Sequence, residues 1–117
     1  MNPVRVLVCT HSEILSAIAV HALFASGHQV FAEGRPEPLA CEAASASALL
    51  VSPALALEAT ALLRESGFRG RILLFDDLDE AGLEAKVAEL GADGAIATSP
   101  LDSFGARFVA RAARPSV

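Results

Sequence analysis

Short apolar runs alternate along this chain with longer segments whose apolar residues return every three or four positions. The run VRVLVC at 4–9 is β-branched and uninterrupted, as in a strand buried on both faces. Residues 12–26 follow at helical length, with Ile14, Leu15, Ile18, Ala22 and Phe24 in a broadly amphipathic pattern. Ser12 is placed to cap that helix and Gly27 to stop it. QVFA at 29–32 predicts a second strand, broken by Gly34-Arg35-Pro36. Residues 37–46 are alanine-rich and predict a helix. ALLVS at 48–52 predicts a third strand, ended by Pro53. A helix over 55–66 closes at Gly67, and RILLF at 71–75 gives the fourth strand. Asp77-Leu78-Asp79-Glu80 then opens a helix through Leu90 that Gly91 stops. GAIAT at 94–98 is the fifth strand. Ser99, Pro100 and Asp102 read as cap, first-turn proline and helix-start carboxylate for a last helix to about Ala113.

Strands separated by helical crossovers run parallel, and the crossovers are right-handed. The expected fold is therefore α/β: a three-layer, doubly wound open sheet of five parallel strands in the order 2-1-3-4-5, with five helices. Residues 1–117 read as a single domain, with no linker, repeat or low-complexity segment.

Composition narrows the class. The chain is 53% hydrophobic and 20% charged, with mean hydropathy +0.47, which excludes a disordered polymer. Aromatic residues make up only 5%, so the core must come from closely packed Val, Ile, Leu and Ala. A net charge of −5 with scattered basic residues argues against nucleic acid as a partner. Arg107, Arg111 and Arg114 recur near helical spacing and read as a solvated helix face. Cys9 and Cys41 are too few for a disulfide framework and read as small buried apolar side chains. The apolar stretches fall short of the ~20 clean residues of a membrane span, and no signal peptide opens the chain. A cytoplasmic protein without membrane contact is the expectation.

Open parallel sheets bind ligands beyond the carboxyl ends of their strands. Five segments form that rim: Cys9-Thr10-His11, Glu33-Gly34, Ser52-Pro53, Phe75-Asp76-Asp77 and Thr98-Ser99-Pro100. The order and spacing of elements, closest in RGRILLFDDLDEAGLEAKVAELGADGAIATSP at 69–100, resemble the bacterial response-regulator receiver domain. The amino-terminal VRVLVCTHSEILSAIAVHALFASGHQV is receiver-like in length and pattern as well. The resemblance implies a flavodoxin-like scaffold and a role in two-component signal transduction. It also implies five rim positions that bind Mg²⁺ and accept phosphate. Here Thr10 and His11 stand for the acid pair, Ser52 for the phosphoaccepting aspartate and Phe75 for the small hydroxyl residue. Thr98, or Ser99 one position on, stands for the lysine. Mg²⁺ favours carboxylate oxygens in octahedral array, and none of these side chains supplies one. The resemblance so implies a pseudo-receiver, without cofactor, metal or catalytic residues, that acts through another protein.

Three further readings concern the same rim. A Ser52–His11–Asp76 triad fails on order, since a triad needs histidine in the middle, and Ser52 lacks a glycine-flanked elbow. His11 in VCTHSE is similar to the phosphohistidine site of mannose-type sugar phosphotransferase carriers, over the first strand and helix only. A phosphocarrier or small enzyme using His11 or Ser52 is accordingly the alternative function. Asp76, Asp77, Asp79 and Glu80 could gather a cation, although helix capping and a solvated acidic loop account for them. Receivers often pair through the fourth helix, fifth strand and fifth helix. In this chain that face would draw on Glu84, Lys86, Glu89, Asp93, Arg107 and Arg111, whose mixed signs suit a two-fold homodimer.

Overall fold

The computed structural model describes residues 4–112. The strands β1 (Arg5–Cys9), β2 (Gln29–Glu33), β3 (Ala48–Val51), β4 (Arg71–Asp76) and β5 (Gly94–Ala97) form one parallel sheet in the order β2-β1-β3-β4-β5. That is the order expected from the alternating pattern. Parallel neighbours need crossovers. They are supplied by α1 (Glu13–Ala25), a 3-10 helix over Glu37–Ser45, α2 (Ala56–Glu65) and α3 (Glu80–Leu90), while α4 (Phe104–Ala112) packs back after β5.

The strand pleat sorts side chains to two faces. Val6, Val8, Leu50, Leu73, Phe75 and Ile96 pack with Leu15, Ala19 and Leu23 of α1 and with Phe104 and Phe108 of α4. Leu7, Leu49, Val51, Leu74 and Ala95 meet Leu39, Ala59, Leu63 and Leu83 on the other face. Each fully buried Leu, Ile, Val or Phe contributes about 1.5–3 kcal/mol, so the sheet's central position follows from its nearly unbroken apolar strands.

Several local features depart from the sequence pattern. The α-helix expected over 37–46 is instead the 3-10 helix Glu37–Ser45. Pro38 lacks an N–H, and the tight ladder begins where the Leu39 N–H donates to the Pro36 carbonyl at 2.9 Å. Asp79, not Asp77, caps α3: its Oδ1 accepts from the Gly82 N–H at 2.6 Å. Ser12 caps α1 as expected, with its Oγ accepting from the Leu15 N–H at 3.2 Å. Gly91 adopts φ +71°, the left-handed conformation that ends α3. Ser99 makes no cap. A short 3-10 turn (Leu101–Ser103) intervenes, and α4 starts only at Phe104. Cys9 is buried, but Cys41 is exposed, because the 3-10 helix turns Leu39 and Ala43 inward instead. Arg114 and the end of the last helix near Ala113 lie outside the described residues.

Candidate functional site: the carboxyl rim

Thr10 and Ser52 follow Cys9 and Val51, which are register neighbours, and the Ser52 N–H donates to the Cys9 carbonyl at 3.1 Å. The chain thus brings the positions after β1 and β3 side by side. Both side chains are nearly closed to solvent, Thr10 at 4% and Ser52 at 9% exposure. Thr10 Oγ1 accepts from the Ser12 N–H at 3.1 Å, so the hydroxyl is occupied in turning the chain into α1. His11, between them in sequence, is exposed.

Phe75 does not reach the rim as a surface group. It is fully buried among the residues facing α1 and α4. β4 runs one residue further than its apolar run suggests, and Asp76 ends it. The Asp76 Oδ1 accepts from the Asp77 N–H at 2.7 Å. Burial raises the Asp76 carboxyl above its ordinary value of 3.8, the neighbouring Asp77 charge adds to this, and the Asp77 N–H opposes it. Thr98, buried at 3% exposure, donates its backbone N–H to the Asp76 carbonyl at 3.0 Å, whereas Ser99 is exposed. Cys9 lies just below the rim. Burial and the charges of Glu58, Glu37 and Glu33 push its thiol up to about 11, which keeps it neutral and unreactive at pH 7.

The strand order puts β3 between β1 and β4, so Ser52 lies between the strands carrying His11 and Asp76. Among the described residues no hydrogen bond joins His11, Ser52 and Asp76, and no three His, Cys, Asp or Glu side chains gather as a metal site.

The charges on the α3–β5–α4 side are arranged differently from a solvated face. Arg107 donates to the Ala97 and Pro100 carbonyls, each at 2.7 Å, and to Ser103 Oγ at 3.0 Å. It also pairs with Glu80 at 3.2 Å, and Arg111 binds the other oxygen of the same carboxylate. Both arginines are half-buried and bonded within the chain. Asp93 accepts from the Ile72 N–H at 2.8 Å, while Glu84, Lys86 and Glu89 remain exposed. Glu80 was legible in the sequence as a helix-start carboxylate. Its bond to arginines 27 and 31 residues away was not, because it needs the fold to bring α4 beside the start of α3.

A groove of about 500 Å³ opens on the opposite flank, lined by Thr10, His11, Glu13, Ala17, Val20 and Glu33 together with neighbours on α1 and β2.

No family model matches the chain, and no curated protein sequence does. Solved structures do match. A response regulator from Thermotoga maritima superposes with TM-score 0.73 at 18% identity, over 97% of this chain and 100% of its own. The chemotaxis protein CheY4 of Vibrio cholerae gives 0.71 at 12% identity, over 95% and 99%. An atypical orphan response regulator with a phosphorylation-independent regulatory mechanism gives 0.69 at 22% identity, over 92% and 93%. The fold is the receiver fold. Among the described residues no helix is long and apolar enough to cross a membrane.

Proposed function

We propose that this chain is a receiver-like signalling module that takes no phosphate at its rim and acts by binding another protein. One observation carries the reading. The residues that follow β1 and β3 are Thr10, His11 and Ser52, a set without a carboxylate, and two of them are closed against the sheet. None of these three offers a divalent cation an anionic ligand, and an acyl phosphate cannot form on a hydroxyl. The similarity to an orphan regulator with a phosphorylation-independent mechanism supports the same reading. Residues 1–117 serve as one such module, in a two-component-type system and without enzymatic activity of their own.

The direct test is intact-mass measurement after incubation with acetyl phosphate and Mg²⁺, and separately with a phosphohistidine donor. No mass gain is expected with either. A gain abolished by Ser52→Ala would overturn the reading. A gain abolished by His11→Ala would favour a phosphocarrier instead, which the exposure of His11 at the mouth of a groove makes the second reading. A second copy of the chain is the other candidate partner, across the α3–β5–α4 face through Glu84, Lys86 and Glu89 with Asp93 at its margin, and Arg107 and Arg111 join such a pairing only by leaving Glu80. Light scattering that gives a strict monomer at high concentration would count against that pairing.

A further inference from the structure

The two edges of the sheet differ. β5 is covered, with Ala95, Ile96 and Ala97 all buried. β2, at the other edge, leaves Val30, Phe31 and Ala32 partly exposed, and it lacks the lysines, prolines and bulges that usually blunt a free edge. Its pairing to β1 begins with the Gln29 N–H on the Val4 carbonyl at 3.0 Å and ends with the Thr10 N–H on the Glu33 carbonyl at 3.3 Å. In a parallel ladder alternate residues bond the same neighbour, so Gln29, Phe31 and Glu33 serve β1. Val30 and Ala32 turn their N–H and C=O groups outward, and among the described residues no other element pairs with them.

The groove of about 500 Å³ runs beside this edge, between α1 and the end of β2. Ala17 and Val20 form its helical wall. Phe24, four residues beyond Val20 and so on the same stripe, is 75% exposed. The carboxylates lining the groove are Glu13 and Glu33, and neither has a cationic partner among the described residues.

We propose that β2 and this groove dock an extended segment of a partner protein. The segment adds as a sixth strand at Val30 and Ala32 and lays apolar side chains along Ala17, Val20 and Phe24. It carries a lysine or arginine for Glu13 and Glu33. Main-chain bonds then supply affinity, while the apolar stripe and the acidic end supply selection. A second copy of this chain fits less well, since its own edge reads QVFAE and brings an acid where the groove asks for a cation. The inference rests on the contact-signalling reading and names the kind of partner involved.

The probe is a blocked synthetic peptide, Lys-Val-Thr-Val-Thr-Val, added to the full chain, with a Glu-for-Lys version as control. Amide exchange at Val30 and Ala32 is followed by NMR. The lysine peptide is expected to slow both amides and the control to bind more weakly. Glu33→Gln should weaken binding about two- to five-fold, the range of an exposed ion pair. Ala32→Pro removes only an outward N–H, which an edge strand tolerates, and should abolish binding. Absence of slowing, or equal affinity for both peptides, overturns the proposal. Slowing that grows with protein concentration and without peptide overturns it too, by assigning the edge to a second copy. Phosphate uptake in the mass measurement would instead strike the contact-signalling reading, and leaves the peptide result to be judged by itself.

Discussion

Asp76 carries an electrostatic cost that can be read from its surroundings. Its carboxyl is partly buried and faces the charge of Asp77, so its folded pKa stands above the unfolded one. The folded state then holds the proton more tightly, and stability falls as pH rises from below 3.8 through the folded pKa, with the full cost present at neutral pH. Asp76→Asn keeps the oxygen that accepts the Asp77 N–H and removes the charge. It is expected to raise Tm at pH 7 and to leave Tm unchanged at pH 3. Thermal melts of the two proteins across that range check this, and an equal shift at both pH values would sink it. The cysteines give a second contrast. Cys41 is exposed, whereas Cys9 is buried with its thiol pushed up to about 11. Iodoacetamide at pH 8 should alkylate Cys41 alone in the native protein and Cys9 only after denaturation, as peptide mapping would show. Sequence reading treated both as buried, because a helical stretch with alanines on every side does not reveal which face turns outward. Phe75 closes the apolar run of the fourth strand, and its full burial is what that run leads one to expect. β4 runs one residue past that run, to Asp76, because pairing with Ala97 of β5 rather than hydrophobicity sets where the strand ends.

At the scale of elements, one guanidinium ties three segments together. Arg107 of α4 holds the carbonyl of Ala97 at the end of β5 and of Pro100 in the loop after it, the Ser103 hydroxyl and Glu80 at the start of α3. Charge-assisted bonds of this kind are worth about 1.5–3 kcal/mol each when the alternative is an unpaired buried group, and less where water can replace the partner. Arg107→Ala frees two carbonyls at a partly buried loop, so a loss of about 1–3 kcal/mol in denaturant unfolding is expected. Faster amide exchange over 98–103 and in the first turn of α3 should accompany it, with the β1–β3 core unaffected. Exchange that quickens evenly across the sheet would show that the clamp is not local. Arg107→Lys should recover only part of the effect, because a single ammonium cannot span the fork of acceptors. None of this was legible in advance. Spacing marks Arg107 and Arg111 as one helix face, but only the packing of α4 beside α3 decides whether that face meets water or Glu80.

At the scale of the whole molecule, the strand order was readable because it rests on redundant cues: five apolar runs, the four helical lengths between them with a fifth after the last, and the rule that parallel strands need crossovers. The rim was readable for the same reason, since strand ends follow from strand positions. The charge pattern of the outer faces was not, because it depends on which ions find partners inside the fold. That dependence decides how two copies should meet. With Arg107 and Arg111 engaged by Glu80, the charges of α3 itself without an ion-pair partner among the described residues are Glu84, Glu89 and Lys86, on a chain of net charge −5. Two such faces repel more than they attract. The Debye length falls from about 30 Å at 0.01 M salt to about 8 Å at 0.15 M, so added salt screens that repulsion. Any pairing across α3–β5–α4 is therefore expected to strengthen several-fold between these two ionic strengths in sedimentation equilibrium. Pairing that instead weakens with salt would mean that Arg107 and Arg111 leave Glu80 to bridge the copies, and Glu80→Gln would then promote the dimer.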